Sequence, residues 1–427
     1  MKQATKTTAL AAGVSLLALL GSTSVETAAS ATSVTYLPLP NDKASWTSNF
    51  NAIGKDIAKL DGGIGWTAQP YSNTTAFQAV IRAAATTSKA PPVFTWWSGQ
   101  QLDPLVQAGA LANMTSNVKS WEAKYGLNPD VEAAYEVNGQ FYGAPMYQAD
   151  WVMFYNKKDF AENHLGVPKT WSALMSDAAT LKAHGITPFA YYDDDWAGFI
   201  WFEQILVEQD PSAYQALVQG KISYTSAPVV AAMNEWKHIA ELGYFSTPMD
   251  IDTQASDPVQ FVNGQQAMML IGSWDEPTFV SAGMKSGKDF GAFVIPPLSA
   301  SAGWQAIFET GPFVVSAHSP DEQEALTAVS TFMEPTVQKA WAKLNPGFVS
   351  ADTTVANTDP TMSSVLTEIK QEHVHLNNRY WEATPPDIAV PVSSDLSEFI
   401  LNPTLPLMPF LQKLQDVASS YWKSVKK

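Results

Sequence analysis

An indole beside a carboxylate at the mouth of a strand suits a sugar, because the ring covers the apolar C–H face of a pyranose while the acid accepts hydrogen bonds from its hydroxyls. The stretch Phe261 to Pro277, FVNGQQAMMLIGSWDEP, supplies that pairing as Trp274 and Asp275. They follow the apolar run Ala267 to Ile271, which ends at Gly272 and reads as a buried strand. Trp97 and Ser98 stand in the same way at the end of the predicted strand Pro92 to Trp97. Asp195 and Trp196 close the acidic aromatic cluster Tyr191 to Trp196, after a predicted strand over 186–190. Trp304 lies in a Gly-containing loop, and Glu309 follows it among apolar neighbours, where a carboxylate needs a partner.

The same residues admit other chemistry. Trp274 also reads as a core ring and Asp275 as a helix N-cap before Pro277, and Trp97 as a buried ring beside Trp96. A pair such as Asp195 and Glu309 would serve glycoside hydrolysis if the carboxyl groups stood about 5–10 Å apart with one pKa raised. A metal receptor would draw on His373-x-His375 or Asp250-x-Asp252, but two ligands on one face of a strand do not close a site. No phosphate loop, dinucleotide-binding glycine pattern or serine nucleophile elbow occurs where strand and helix would support it. The expectation is a binding site with no catalytic residue, no cofactor and no metal.

With 427 residues the chain exceeds one ordinary core, and two domains are expected. Charged residues make up 15% and hydrophobic residues 46%, which marks a globular chain. The balance of 25 basic to 41 acidic residues, net −16, argues against nucleic acid or an anionic membrane as partner. Lys2 and Lys6, the apolar run Ala9 to Leu20 and Ala29-Ser30-Ala31 read as an export signal over 1–31, cleaved near Ala31. The chain has no cysteine, so no thiolate chemistry and no lipid anchor through cysteine is expected. Ser22 stands where a lipoprotein signal would carry that cysteine, and the expected location is the periplasm.

The elements that must position these residues alternate. Strands over 34–39, 64–67 and 92–97 enclose helices over 45–60 and 76–85, an order that implies a parallel sheet covered by helices. Asn138-Gly139 marks a tight hairpin, and Trp151 to Asn156 reads as entry into a second domain. Later segments give strands over 186–190, 290–295 and 312–316, helices between them, and a loop from Arg379 to Asp387. No linker separates the two parts, so the chain is expected to cross between them more than once.

Several stretches fall in a familiar order: PVFTWWSGQQLDPLVQAGALANM from Pro92, YGAPMYQADWVMFYNK from Tyr142, PKTW from Pro168, HGITP from His184, the Phe261 stretch, and FGAFVIPP from Phe290. In that order the chain resembles the extracellular solute-binding proteins of carbohydrate ABC importers. The resemblance implies an α/β, two-lobed periplasmic-binding-protein fold, each lobe a mostly parallel sheet flanked by helices, with the ligand in the cleft. It divides the chain into 32–146 with about 299–345 for the first lobe, and 147–298 with about 346–427 for the second. It implies a carbohydrate ligand, no chemistry upon it, monomeric action and delivery to inner-membrane permease subunits. Carried over by position, it puts Trp97 and Ser98 on the first lobe's rim, Asp195 and Trp196 on the second, and Trp274 where a stacking ring is common. Gln148 and Asp150 fall near the hinge, and Trp381 with Arg379 in a loop by the cleft. Gln100 and Gln101 stand where one member of that family carries charged sugar contacts.

Overall fold

Short apolar runs alternating with amphipathic helices build two main sheets in the computed structural model of the chain, which describes residues 33–37, 44–69, 74–191, 197–246 and 257–425. In the first sheet β1 (Ser33–Leu37), β2 (Gly65–Ala68) and β3 (Val93–Thr95) run parallel, with Val34 opposite Trp66 and Tyr36 opposite Val93. The connecting helix Ala44–Leu60 covers this sheet through Phe50, Ile53 and Ile57, whose spacing makes one apolar stripe and which are all buried. β4 (Glu136–Val137) and β5 (Gln140–Phe141) form the expected hairpin. Its turn residues Asn138 and Gly139 have φ of 53° and 77°, the left-handed pair that a two-residue hairpin turn requires.

β6 (Ala144–Pro145) is the last strand of the first sheet before β7 (Ala149–Asn156) enters the second. β8 (Thr187–Phe189), β9 (Gln266–Gly272), β10 (Phe290–Phe293) and β11 (Gln305–Glu309) follow there, β12 (Pro312–Val315) returns to the first sheet, and β13 (His375–Asn378) completes the second. The strand orders are β2-β1-β3-β12-β6 and β13-β11-β7-β9-β8, with β10 beside β7. β9, the run singled out in the sequence, is buried along its whole length. The second sheet is mixed: β7 runs antiparallel to β9, β10 and β11, while β8 with β9 and β11 with β13 run parallel.

The chain passes between the sheets three times, at 146–148, at Thr310-Gly311, and between the helices Pro335–Leu344 and Pro360–Gln371. The return to the first sheet therefore comes at 310, later than the boundary near 299, because β11 pairs with β7 and β13. The crossings are clipped together. Gln148 and Val349 exchange both backbone hydrogen bonds at 2.8 Å, and Met146 N–H donates to Gly311 at 3.0 Å. The Tyr147 and Phe348 rings stack beside them at 4.2 Å, 11° from parallel.

The expected loop from Arg379 to Asp387 is instead a helical turn, Tyr380–Ala383, followed by the start of the helix Pro386–Leu401. The expected export segment, Asp195 with Trp196, and Asp250 with Asp252 lie outside the described residues. Among the described residues no helix is long and apolar enough to cross a membrane.

Candidate functional site

Strand direction gathers the chemistry. The carboxyl ends of β8, β9, β11 and β13 and the amino end of β7 share one edge of the second sheet, which is where open α/β sheets place ligands. The carboxyl end of β3 brings Trp97 and Ser98 to meet it. Gly99 lets the two rims close up: its φ is +59°, and a Cβ there would lie 2.4 Å from the Glu382 carbonyl oxygen.

Across this junction runs an aromatic wall. Trp96 is buried and fixed by its indole N–H, which donates to the Gln101 carbonyl at 2.8 Å. Trp97, half-buried, packs edge-on to Trp96 at 5.1 Å and to Phe77 at 6.4 Å. On its other side it meets Trp381 at 6.4 Å, and Trp381 stacks on Phe199 at 6.4 Å and 28°. Gln101 ties the rims further by donating its amide to the Trp381 carbonyl at 2.8 Å. Two donors along this wall, the Ser98 hydroxyl and the Trp381 indole N–H, are buried with no hydrogen-bond partner among the described residues. Buried polar groups are seldom left so, and a sugar hydroxyl would answer both.

Next to the wall lies an ion network. Arg379, just beyond β13, pairs through Nη1 with Glu309 at the end of β11 and through Nη2 with Glu382, while its Nε–H donates to Glu382 at 2.8 Å. Its guanidinium carbon lies 5.5 Å from the Trp151 ring centre and 5.9 Å from that of Phe199. Glu203, from the helix Ile200–Gln209, accepts the Tyr380 N–H at 2.6 Å and so holds the turn that carries Trp381. Burial pushes the Glu309 carboxyl up to about 7 against the pull of Arg379, and pushes Glu203 well above the ordinary range. Burial opposes the charge on Arg379, but Glu309 and Glu382 outweigh it and raise its pKa.

At the hinge, the Gln148 amide donates to Asp150 Oδ1 at 2.6 Å and its carbonyl accepts from Asn128 at 3.0 Å, which links a first-lobe loop to the start of β7. Burial lifts Asp150 to about 6, the Gln148 bond opposing it. Trp274 and Asp275 follow β9 at the same edge, but both are buried, and Asp275 accepts the Thr278 hydroxyl at 2.7 Å within its own helical segment. Trp304 stands elsewhere, at the opposite end of β11 from Glu309, with the Lys169 ammonium 5.7 Å from its ring centre. Thus Trp97, Ser98, Gln148, Asp150, Trp274, Asp275, Glu309 and Trp381 share one edge, Trp304 does not, and Asp195 and Trp196 lie outside the described residues.

Phe199, Glu203 and Glu382 belong to this edge and were not singled out in the sequence. For Glu382 a signal existed, the Arg379-x-x-Glu382 spacing that juxtaposes charges on a helical turn. Among the described residues no group of three or more His, Asp or Glu converges as a metal ion would need.

The family model for bacterial extracellular solute-binding protein matches residues 46–367. The chain is 24% identical to a probable sugar-binding periplasmic protein of Brucella melitensis biotype 1 over 334 residues, spanning 75% of this chain and 74% of that one. Its fold matches that of a chitin oligosaccharide binding protein with TM-score 0.79 at 20% identity, covering 91% of this chain and 98% of the other. It also matches the solute-binding protein RafE in complex with raffinose with TM-score 0.72 at 17% identity, covering 93% and 100%.

Proposed function

The chain belongs to the bacterial extracellular solute-binding protein family, and on that premise we propose that it captures a sugar of di- or oligosaccharide size between its lobes and delivers it, as a monomer outside the cytoplasmic membrane, to the permease of an ABC importer. The observation that carries this reading is the aromatic wall in which Trp97 of one lobe meets Trp381 of the other at 6.4 Å. A sugar laid on that wall touches both lobes, and only a ligand that does so favours the closed arrangement over the open one. The unpartnered Ser98 hydroxyl and Trp381 indole offer donors to ring oxygens and hydroxyls, and Asp150 an acceptor. The relatives named as sugar-binding point the same way. Glu309 is engaged by Arg379, which suits a fixed acceptor better than a free acid catalyst.

The test is a melting-temperature screen of the purified protein against neutral mono-, di- and trisaccharides, with each hit recovered and analysed. A sugar at about 100 times its dissociation constant adds roughly 2.7 kcal/mol. Trp97→Ala and Trp381→Ala are each expected to weaken that binding by more than about 1 kcal/mol. A sugar recovered cleaved would replace this reading with a glycoside hydrolase.

A further inference from the structure

Resting on the sugar-binding reading, a second conclusion concerns charge. The strongest recognition of a carboxylate or phosphate group comes from a cation with donors to offer, above all the fork of an arginine. Among the described residues nine acidic side chains are buried, including Asp150, Glu203, Glu309 and Glu382, against a single buried base, Arg379. All three nitrogens of that guanidinium are engaged, Nη1 in an ion pair with Glu309 and Nε with Nη2 by Glu382, and the Trp151 and Phe199 ring centres lie 5.5 Å and 5.9 Å from its carbon. Lys169 sits by Trp304 at the far end of β11. The interior segments outside the described residues contain one base, Lys43, and six aspartates.

We propose that the cleft admits neutral and amine-bearing glycans and rejects those carrying a carboxylate or a phosphate, because Arg379 serves as an internal counter-ion to Glu309 and Glu382 and leaves no fork edge for a ligand. An incoming anion would meet Glu309, Glu382 and Asp150 with no second buried base among the described residues to offset them, and like charges brought together at a dry interface are strongly disfavoured. An amine on the same ring is the opposite case, since the Glu309, Glu382 and Asp150 carboxylates are acceptors for it. Arg379 is thus a positioning residue: it holds the end of β11 and the turn that presents Trp381.

The test measures binding of sugars that share a ring and differ in the charged group they carry: glucose, glucosamine, glucuronate and glucose 6-phosphate, the galactose series, and chitobiose with its fully deacetylated diamine. At least one neutral or amino sugar is expected to bind, with its acidic counterpart weaker by about 100-fold or more. An acidic sugar that binds as tightly as its neutral counterpart overturns the charge rule while leaving the sugar receptor standing. Failure of every sugar, of any charge, overturns the sugar-binding reading and this one with it. Glu382→Gln, which keeps the side-chain shape and releases one charge from Arg379, is expected to narrow the neutral-over-acidic ratio by about tenfold. An unchanged ratio overturns the role given to Arg379.

Discussion

At the end of β3 the first lobe presents Trp96, Trp97 and Ser98, with no ionised group among them, whereas the second lobe presents a guanidinium clasped by two carboxylates at the ends of β11 and β13. The first rim is held by indole packing and one indole hydrogen bond to a backbone carbonyl. The second is held by charge in a dry setting, where Arg379, Glu309 and Glu382 are all nearly inaccessible. Removing part of the first leaves a gap; removing part of the second leaves an uncompensated charge. Both rims meet at the aromatic wall, but only the second has its geometry and its stability in the same atoms.

Breaking that contrast calls first for Arg379→Met. Leaving Glu309 and Glu382 without their cation is expected to cost about 3–5 kcal/mol, read as a lowered urea midpoint, and adding Glu309→Gln and Glu382→Gln is expected to restore most of it. If Arg379→Met alone is near neutral, the network is not what holds this rim. Gly99→Ala probes the seam itself. With φ at +59° and the new Cβ 2.4 Å from the Glu382 carbonyl, it is expected to cost about 1–3 kcal/mol and to weaken sugar binding by displacing Trp381.

The third effect is of pH. Burial raises Glu309 from the ordinary 4.5 to about 7, so the stability its protonated form contributes is complete below the lower value and is lost as pH rises through the upper one. Stability measured from about pH 5 to about pH 8.5 is expected to fall by no more than about 1.4 kcal/mol per pH unit for this proton, and Glu309→Gln is expected to flatten that dependence. The smallest effect sharpens the comparison from outside the cleft. Lys169 and Glu368 form an ion pair at 2.6 Å with the lysine 58% exposed, and Lys169→Ala is expected to cost under about 1 kcal/mol, less at high salt.

The first rim was the more legible in sequence. Trp97-Ser98 after an apolar run is a local pattern, and Asn138-Gly139 and the apolar run before Gly272 likewise declare themselves within a few residues. Arg379 and Glu382 had local spacing too, but the stretch from Arg379 to Asp387 reads as a loop, and what fixes 380–383 as a helical turn is distant: Glu203 capturing the Tyr380 N–H from 177 positions away. Trp304 misled for the same reason in reverse. It stands close to Glu309 in sequence, yet a strand carries the two to opposite ends. Gln101, noted in the sequence only for standing where a charge is expected, fastens Trp381 by donating to its backbone carbonyl. Directions along a sheet and partners across it are long-range quantities, and no window of sequence contains them.

The meeting of Trp97 and Trp381 also gives the protein an optical signature. Of its 15 tryptophans, these two lie on different lobes with their ring centres 6.4 Å apart and their planes at 60°. At that spacing the transition dipoles of two indoles couple, and the coupling decays with the cube of their separation. Trp97 also couples to Trp96 at 5.1 Å, so a ligand that alters the spacing of the Trp97–Trp381 pair is expected to alter the near-ultraviolet dichroism by an amount that shrinks in Trp381→Phe.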